Sequence, residues 1–330
     1  MTDAVQERYA RFARDEAPGR SALYAEWAAG VAGDEEVRRI LLRIPETRRQ
    51  PPLVFAVTRL LGVPLESYAR WRAFVLRNAD EVVVECERRT LQTNEPLRLA
   101  ALLPVLSEIE GPIALLEIGA SAGLCLYPDR YSYRFTGEAG ELRAAFDPVD
   151  GVSTVVLESR VAGPLPALRM PEVVWRAGID LAPLDAADER DRRWLRGLVW
   201  PGESGREDRI EAALDIAAGA PPLLVEGDAG AHLDALASAA PPQATLVITT
   251  PGVLVHIPRA ERTALIARIS RMDARWITID PPAVTDAWEP PVDADRWPGF
   301  VVALDGRVRA AADPLGRWWE WRPGPPAVAS

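Results

Sequence analysis

Lysine is absent from all 330 residues, so every one of the 38 basic side chains is an arginine. That absence removes the Schiff-base lysine, the Ser-Lys dyad and the phosphate-reaching lysine of a P-loop. Cysteine and histidine are almost as scarce. Cys86, Cys125, His232 and His256 are the full set, with no CxxC spacing. A metal site of the structural zinc type lacks ligands, and the two thiols read as buried side chains in a reducing compartment. No apolar run reaches the ~18 residues of a membrane span, and residues 1–16 are charged throughout. A cytoplasmic protein without a membrane partner is expected. Basic excess is missing as well: acids outnumber bases 48 to 38, for a net charge of −10. A duplex-binding protein displaces counterions with a basic face, so no nucleic-acid partner is expected.

What is present is ordinary for a globular chain, with 48% hydrophobic and 26% charged residues. The length suits two domains or one large domain with an extension. Up to about residue 110 the apolar residues recur at helical spacing, as in Val5, Tyr9 and Phe12 or Val37, Ile40, Leu41 and Ile44. Pro51 and Pro52 open a helix that Gly62 and Pro64 close. Residues 95–106 carry Leu99, Leu102, Leu103 and Leu106 on one face, with Asn94, Glu95 and Arg98 at the start as a polar set. A helical cap over residues 1–110 is expected, with no sheet strand before Gly111.

After Gly111 the pattern changes. Residues 113–118 form a compact apolar run that ends in a cluster of small residues, as a buried parallel strand entering a turn and a helix would. Strand patterns recur at 173–181, 223–226, 245–249, 276–279 and 300–304. Helical patterns at 188–198, 208–217, 231–239 and 260–272 separate most of them. Such alternation implies βαβ units and a mostly parallel sheet. Asp305-Gly306 between two strand patterns marks a terminal antiparallel hairpin. Residues 111–330 are therefore expected to form one α/β domain of seven strands, with an insertion near 128–170.

The stretch Glu117-Ile118-Gly119-Ala120-Ser121-Ala122-Gly123 lets a ligand approach the backbone just past a buried strand. A dinucleotide fingerprint needs three glycines at GxGxxG, and only Gly119 and Gly123 are available. Glu117 is costly to bury without a cationic or hydroxyl-bearing partner. The same stretch matches Gly-x-Ser-x-Gly, the nucleophile elbow of α/β-hydrolases with Ser121 as nucleophile. His256 and Asp228 would complete that triad, but no strands or oxyanion loop precede Ser121 in the pattern.

This segment resembles motif I of class I S-adenosylmethionine methyltransferases, acidic-x-Gly-x-Gly-x-Gly, with Ser121 at the middle glycine. The resemblance implies a Rossmann-like sheet whose strand ends hold the cofactor. Glu117, Gly119, Ala120, Ser121 and Gly123 would lie along it, Asp180 near the ribose, Asp228 near the adenine and Thr250 where substrate and methyl meet. The whole chain resembles an uncharacterised bacterial family, domain of unknown function 2332, regarded as methyltransferase-like. Thr93-Asn94-Glu95 with Arg98, Leu116 to Gly123, Asp129-Arg130-Tyr131, Arg176 to Asp180, Trp200-Pro201, Gly227-Asp228 and Leu304 to Asp313 with Trp318 carry that resemblance. Where the family's fourth strand tends to end in His-Ser, this chain has Thr250-Pro251.

The resemblance implies methyl transfer from S-adenosylmethionine to a small molecule. Asn94 and Arg98 are candidate substrate contacts, and His256, Tyr131 and Glu95 are candidate proton-transfer groups. Two alternatives stay open: a serine hydrolase acting through Ser121, and a ligand-binding protein of methyltransferase-like fold without catalysis.

Overall fold

A computed structural model describes residues 2–322. The chain forms two compact units, one of residues up to Thr93 with Ala187–Glu211, the other of Asn94–Ala186 with the residues from Ala212 on.

The first unit is helical among its described residues: α1 (Thr2–Arg11), α2 (Ala22–Gly33), α3 (Glu35–Leu41), α4 (Pro51–Leu60), α5 (Tyr68–Arg77) and α6 (Ala79–Arg88). Its starts follow local chemistry. Ser21 and Asp34 accept the Tyr24 and Val37 N–H groups, and Pro51 and Pro52 occupy the first turn of α4, where their missing N–H groups cost nothing. Nearly every residue of α4 is buried, and the Phe55 ring meets Tyr9, Phe12, Tyr24, Trp27 and Trp71. The polar tips find partners: Trp71 Nε1 donates to Thr58 Oγ1 at 2.9 Å and Trp27 Nε1 to the Glu66 carbonyl at 2.8 Å.

The second unit opens with α7 (Arg98–Leu106), in which all nine residues are buried. A helix apolar all round must be enclosed, and α7 packs on strands of the sheet. The strands are β1 (Pro112–Ile118), β2 (Ser132–Thr136), β3 (Leu142–Phe146), β4 (Val156–Ala162), β5 (Glu172–Asp180), β6 (Leu223–Glu226), β7 (Thr245–Pro251), β8 (Arg275–Asp280), β9 (Phe300–Leu304), β10 (Arg307–Ala312) and β11 (Trp318–Trp321). Helix α8 (Glu189–Gly197) returns to the first unit. Helices α9 (Arg206–Gly219), α10 (Ala229–Ser238) and α11 (Arg259–Ile269) alternate with the later strands.

The eleven strands make one sheet in the order β3-β2-β4-β11-β10-β9-β8-β7-β1-β5-β6. No strand precedes Gly111 among the described residues, and the hairpin at Asp305-Gly306 joins β9 to β10. Two expectations are corrected. Seven strands become eleven, because residues 132–162 add β2, β3 and β4 to the same sheet and β11 links them to the hairpin. Antiparallel pairing also reaches beyond the terminal hairpin: six strand pairings are parallel, a majority, and four are antiparallel. Of the added strands, β3 gives no strand pattern because it lies largely exposed at an edge of the sheet.

The run β6-β5-β1-β7-β8 is parallel, and in chain order it reads 3-2-1-4-5. The chain leaves β1 toward β5 and β6 on one side, then crosses to β7 on the other. Ligands of open α/β sheets bind outside the carboxyl ends at such a reversal. Leu116, Ile118, Ala177, Ile179 and Ile248 pack with α10 and α11 residues on one face. Side chains alternate along a strand, so Glu117 points to the opposite face.

Candidate functional site at the strand carboxyl ends

The loop leaving β1 is built on left-handed backbone at Gly119 (φ 79°), Ser121 (φ 52°) and Gly123 (φ 73°). Glycine tolerates that region and serine does not, so Ser121 is held there by its surroundings. Its N–H donates to Asp180 Oδ2 at 2.7 Å, and its carbonyl accepts from Leu184 N–H at 3.2 Å. Gly119 and Ala120 donate to the Ile179 carbonyl, Gly123 to the Ala120 carbonyl, and Leu124 to Asn94 Oδ1. Five of the six N–H groups from Gly119 to Leu124 are thus used inside the protein.

This corrects a sequence expectation. The turn was to lead into a helix whose first N–H groups face a ligand. Instead the chain makes only a 3-10 turn at Leu124–Leu126 and proceeds to β2. The cause is local: the left-handed residues and the Asn94 amide take the donors that a helix start leaves free.

Asn94 is the clamp of this loop. Its Nδ2 donates to the Ala120 carbonyl at 3.0 Å while Oδ1 takes Leu124. Helix α7 begins only at Arg98, so Asn94 and Glu95 precede it and do not lie in its first turn as the sequence pattern implies. Glu95, fully buried, accepts the Leu97 N–H on Oε1 at 3.1 Å, and its carbonyl accepts from Cys125 Sγ. Tyr131 is also fully buried, its hydroxyl donating to the Leu124 carbonyl at 2.8 Å. Close approach completes the loop: a Cβ on Gly178 would stand 2.4 Å from the Ala120 Cβ, and one on Gly119 2.6 Å from Val253.

Asp180 ends β5 and staples two loops. Its Oδ2 receives Ser121, and its Oδ1 receives the Ala182 N–H at 2.9 Å. Asp228 follows β6, is exposed, and caps α10 by accepting Gly230 N–H at 2.7 Å. Both carboxylates retain lone pairs after these bonds. Thr250, in β7 and fully buried, accepts Trp276 Nε1 at 3.0 Å.

Arg98 draws the remaining groups together. The guanidinium is buried and donates to the Pro251 carbonyl at 2.7 Å and to the Pro314 carbonyl at 3.0 Å. A Cβ on Gly252 would stand 2.8 Å from it. Besides the buried Cys125 thiol, three titratable groups feel its charge. Glu117 is 3% exposed, and its Oε2 has no hydrogen-bond partner. Burial pushes this carboxyl well above the usual range, Arg98 pulls it down and Asp180 pushes it up further. His256 sits exposed on the turn Leu254–His256, its imidazole held below the ordinary value by partial desolvation and then by Arg98.

The third is Asp280, at the end of β8, which the sequence reading missed. It is fully buried, Thr278 Oγ1 donates to its Oδ2 at 2.5 Å, and Oδ1 has no hydrogen bond of good geometry. Burial raises this carboxyl to about 7, against the pull of the Thr278 hydroxyl, Arg98 and the nearby Leu254 and Val255 N–H groups. The signal was available: Asp280 ends a strand pattern just as Glu117 does, and Pro281-Pro282 closes it.

Among the described residues, no three His, Cys, Asp or Glu side chains are placed to hold a metal ion, and no helix is long and apolar enough to cross a membrane. A separate cavity of about 820 Å³, lined by Tyr127, Arg130, Trp175 and Arg176 among others, opens beside the amino half of β5, away from the strand carboxyl ends.

The family model for an uncharacterised protein conserved in bacteria, domain of unknown function 2332, matches residues 6–321. The chain belongs to that family. No curated protein and no solved structure matches it. Residues that carry the family likeness meet in space. Asp129 receives two 2.5 Å contacts from Arg176 Nη2, and Asn94 reaches the small-residue loop.

Proposed function

We propose that the protein binds S-adenosylmethionine across the carboxyl ends of β1, β5 and β6 and passes its methyl group to a small molecule standing over β7 and β8. One observation carries the reading: Glu117, at the point where the strand order reverses, is buried with an unpartnered oxygen. A buried carboxyl without a partner is unfavourable, and an ammonium group supplies both the missing donor and the opposite charge. The amino-acid end of S-adenosylmethionine carries such a group. Asp180 and Asp228 have lone pairs left for hydroxyl and amine donors. When bound, the cofactor supplies an activated methyl, and the chain's residues align it with the acceptor. The used-up N–H groups of the 119–124 loop imply that side-chain acids, rather than a backbone cradle, hold the ligand.

The hydrolase reading draws on the left-handed Ser121. An elbow serine stands exposed at a strand-to-helix turn, whereas Ser121 is 4% exposed and no α-helix follows it.

Titration calorimetry with S-adenosylmethionine and S-adenosylhomocysteine tests the proposal. A hydrogen bond to a charged group is worth about 1.5 to 3 kcal/mol, so Glu117→Gln should weaken binding at least tenfold. Burial raises the empty Glu117 carboxyl and a bound ammonium would pull it back down, so binding should also release protons, seen as a buffer-dependent enthalpy that the variant lacks. No binding to the wild-type protein would end the reading. Binding without turnover of a labelled methyl group would favour the non-catalytic alternative.

A further inference from the structure

We propose that Asp280 is the proton acceptor of this site, its Oδ1 taking the proton of a hydroxyl, phenol or amine group on the methyl acceptor. The inference rests on the methyl-transfer reading and extends it by naming a base and a class of acceptor.

Position comes first. β8 pairs with β7 up to Pro251 opposite Ile279, so Asp280 stands one residue beyond the last pair, at the carboxyl edge where Arg98 meets the Pro251 carbonyl. Alternation along β8 sets Trp276, Thr278 and Asp280 on the face of Leu116 and Ile248, opposite Glu117, so Asp280 and Glu117 would share a ligand only beyond the strand ends, and the Trp276 bond to Thr250 ties that face to β7. The carboxyl is asymmetric: Thr278 holds Oδ2, and Oδ1 is left to accept. Among the described residues none closes a hydrogen bond of good geometry on Oδ1, although the Leu254 and Val255 N–H groups lie near the carboxyl and favour its charged form, and an unpaired buried acceptor is costly. Its neighbour is the turn Leu254–His256, whose Val255 and His256 are exposed, and the only charged side chain among its main influences is Arg98, from α7. With the carboxyl raised to about 7, it can both take and return a proton near neutral pH.

The chemistry balances. As the acceptor's X–H bond breaks, its electron pair forms the X–CH3 bond, the proton passes to Asp280 Oδ1, and the pair of the broken C–S bond stays on sulfur. Arg98 offsets the carboxylate charge before transfer. An acceptor that arrives as a carboxylate would be repelled by Asp280 and has no proton to give, so carboxylates are excluded from the class.

The test needs no acceptor. Dicyclohexylcarbodiimide modifies protonated carboxyls that it can reach, and peptide mapping by mass spectrometry locates the adduct. On the full chain between pH 5 and pH 9, Asp280 should be labelled, with a rate that falls about tenfold per pH unit above about 7. Thr278→Val removes the hydroxyl that favours the charged form and should move the midpoint upward. Absence of labelling on the folded protein overturns the proposal, because a carboxyl closed to a small reagent is closed to an acceptor. A midpoint in the ordinary carboxyl range also overturns it. Asp280→Asn should bind S-adenosylhomocysteine within twofold of wild type, and a tenfold loss would make Asp280 a cofactor contact instead. Labelling without any S-adenosylhomocysteine binding overturns the methyl-transfer reading and, with it, the methyl acceptor assigned to Asp280, leaving only a reachable carboxyl of raised affinity for protons. Binding without labelling overturns the role of Asp280 alone.

Discussion

Asp280→Asn is expected to remove a loss of stability that the wild-type protein suffers between about pH 4 and pH 7. In the unfolded chain this carboxyl has its ordinary value of 3.8, and burial raises it to about 7 in the native state. Between those values the native protein binds a proton that the unfolded chain has released. Stability therefore falls as pH rises through this window and is level above it. The shift is about three pH units at about 1.36 kcal/mol each, or about 4 kcal/mol in all. About 2 to 3 kcal/mol of this falls between pH 5 and pH 8. Asparagine keeps an oxygen for the Thr278 hydroxyl and carries no charge at either pH. Urea unfolding of both proteins at pH 5 and pH 8 measures the effect, and wild type should lose more stability than the variant by that amount. Glu117 has a shift of the same sign, but it is present in both proteins and cancels in the difference. Equal losses in the two proteins would refute the burial-driven shift at Asp280.

Three further outcomes are expected. Asp180→Ala strands the Ser121 and Ala182 N–H groups, so it should destabilise the protein by about 1 to 3 kcal/mol, read as a lowered urea midpoint; unchanged stability would mean that the staple is not formed. Gly178→Ala forces a methyl against Ala120 without any left-handed strain and should cost about 1 to 3 kcal/mol by overpacking, whereas an alanine at the exposed Gly219, with nothing within 4 Å, should not. A fluorophosphonate probe should leave Ser121 unlabelled because the residue is buried and its loop is braced on both sides; stoichiometric labelling abolished by Ser121→Ala would restore the hydrolase reading.

The sequence by itself determined the local elements. Prolines at the start of α4, apolar periodicity up to residue 110 and the Asp305-Gly306 turn each act over a few residues, and helices and hairpin appear where those signals stand. The run at residues 113–118 and the strand-end acids Glu117 and Asp180 were legible for the same reason. Tertiary structure decided what those acids do. Asp180 and Glu117 look alike in sequence, yet Asp180 meets two backbone donors from loops that converge on it, while Glu117 meets none at Oε2. The helix expected after Gly123 failed to form because Asn94, 30 positions earlier than Leu124, takes the donor that would begin it. Arg98 and Asp280 lie 182 positions apart in sequence and reach one another's field only through the pairing of β7 with β8 and the packing of α7. Hydrophobic periodicity is a short-range property of the chain, whereas desolvation and the partners of a buried charge depend on which distant segments enclose it.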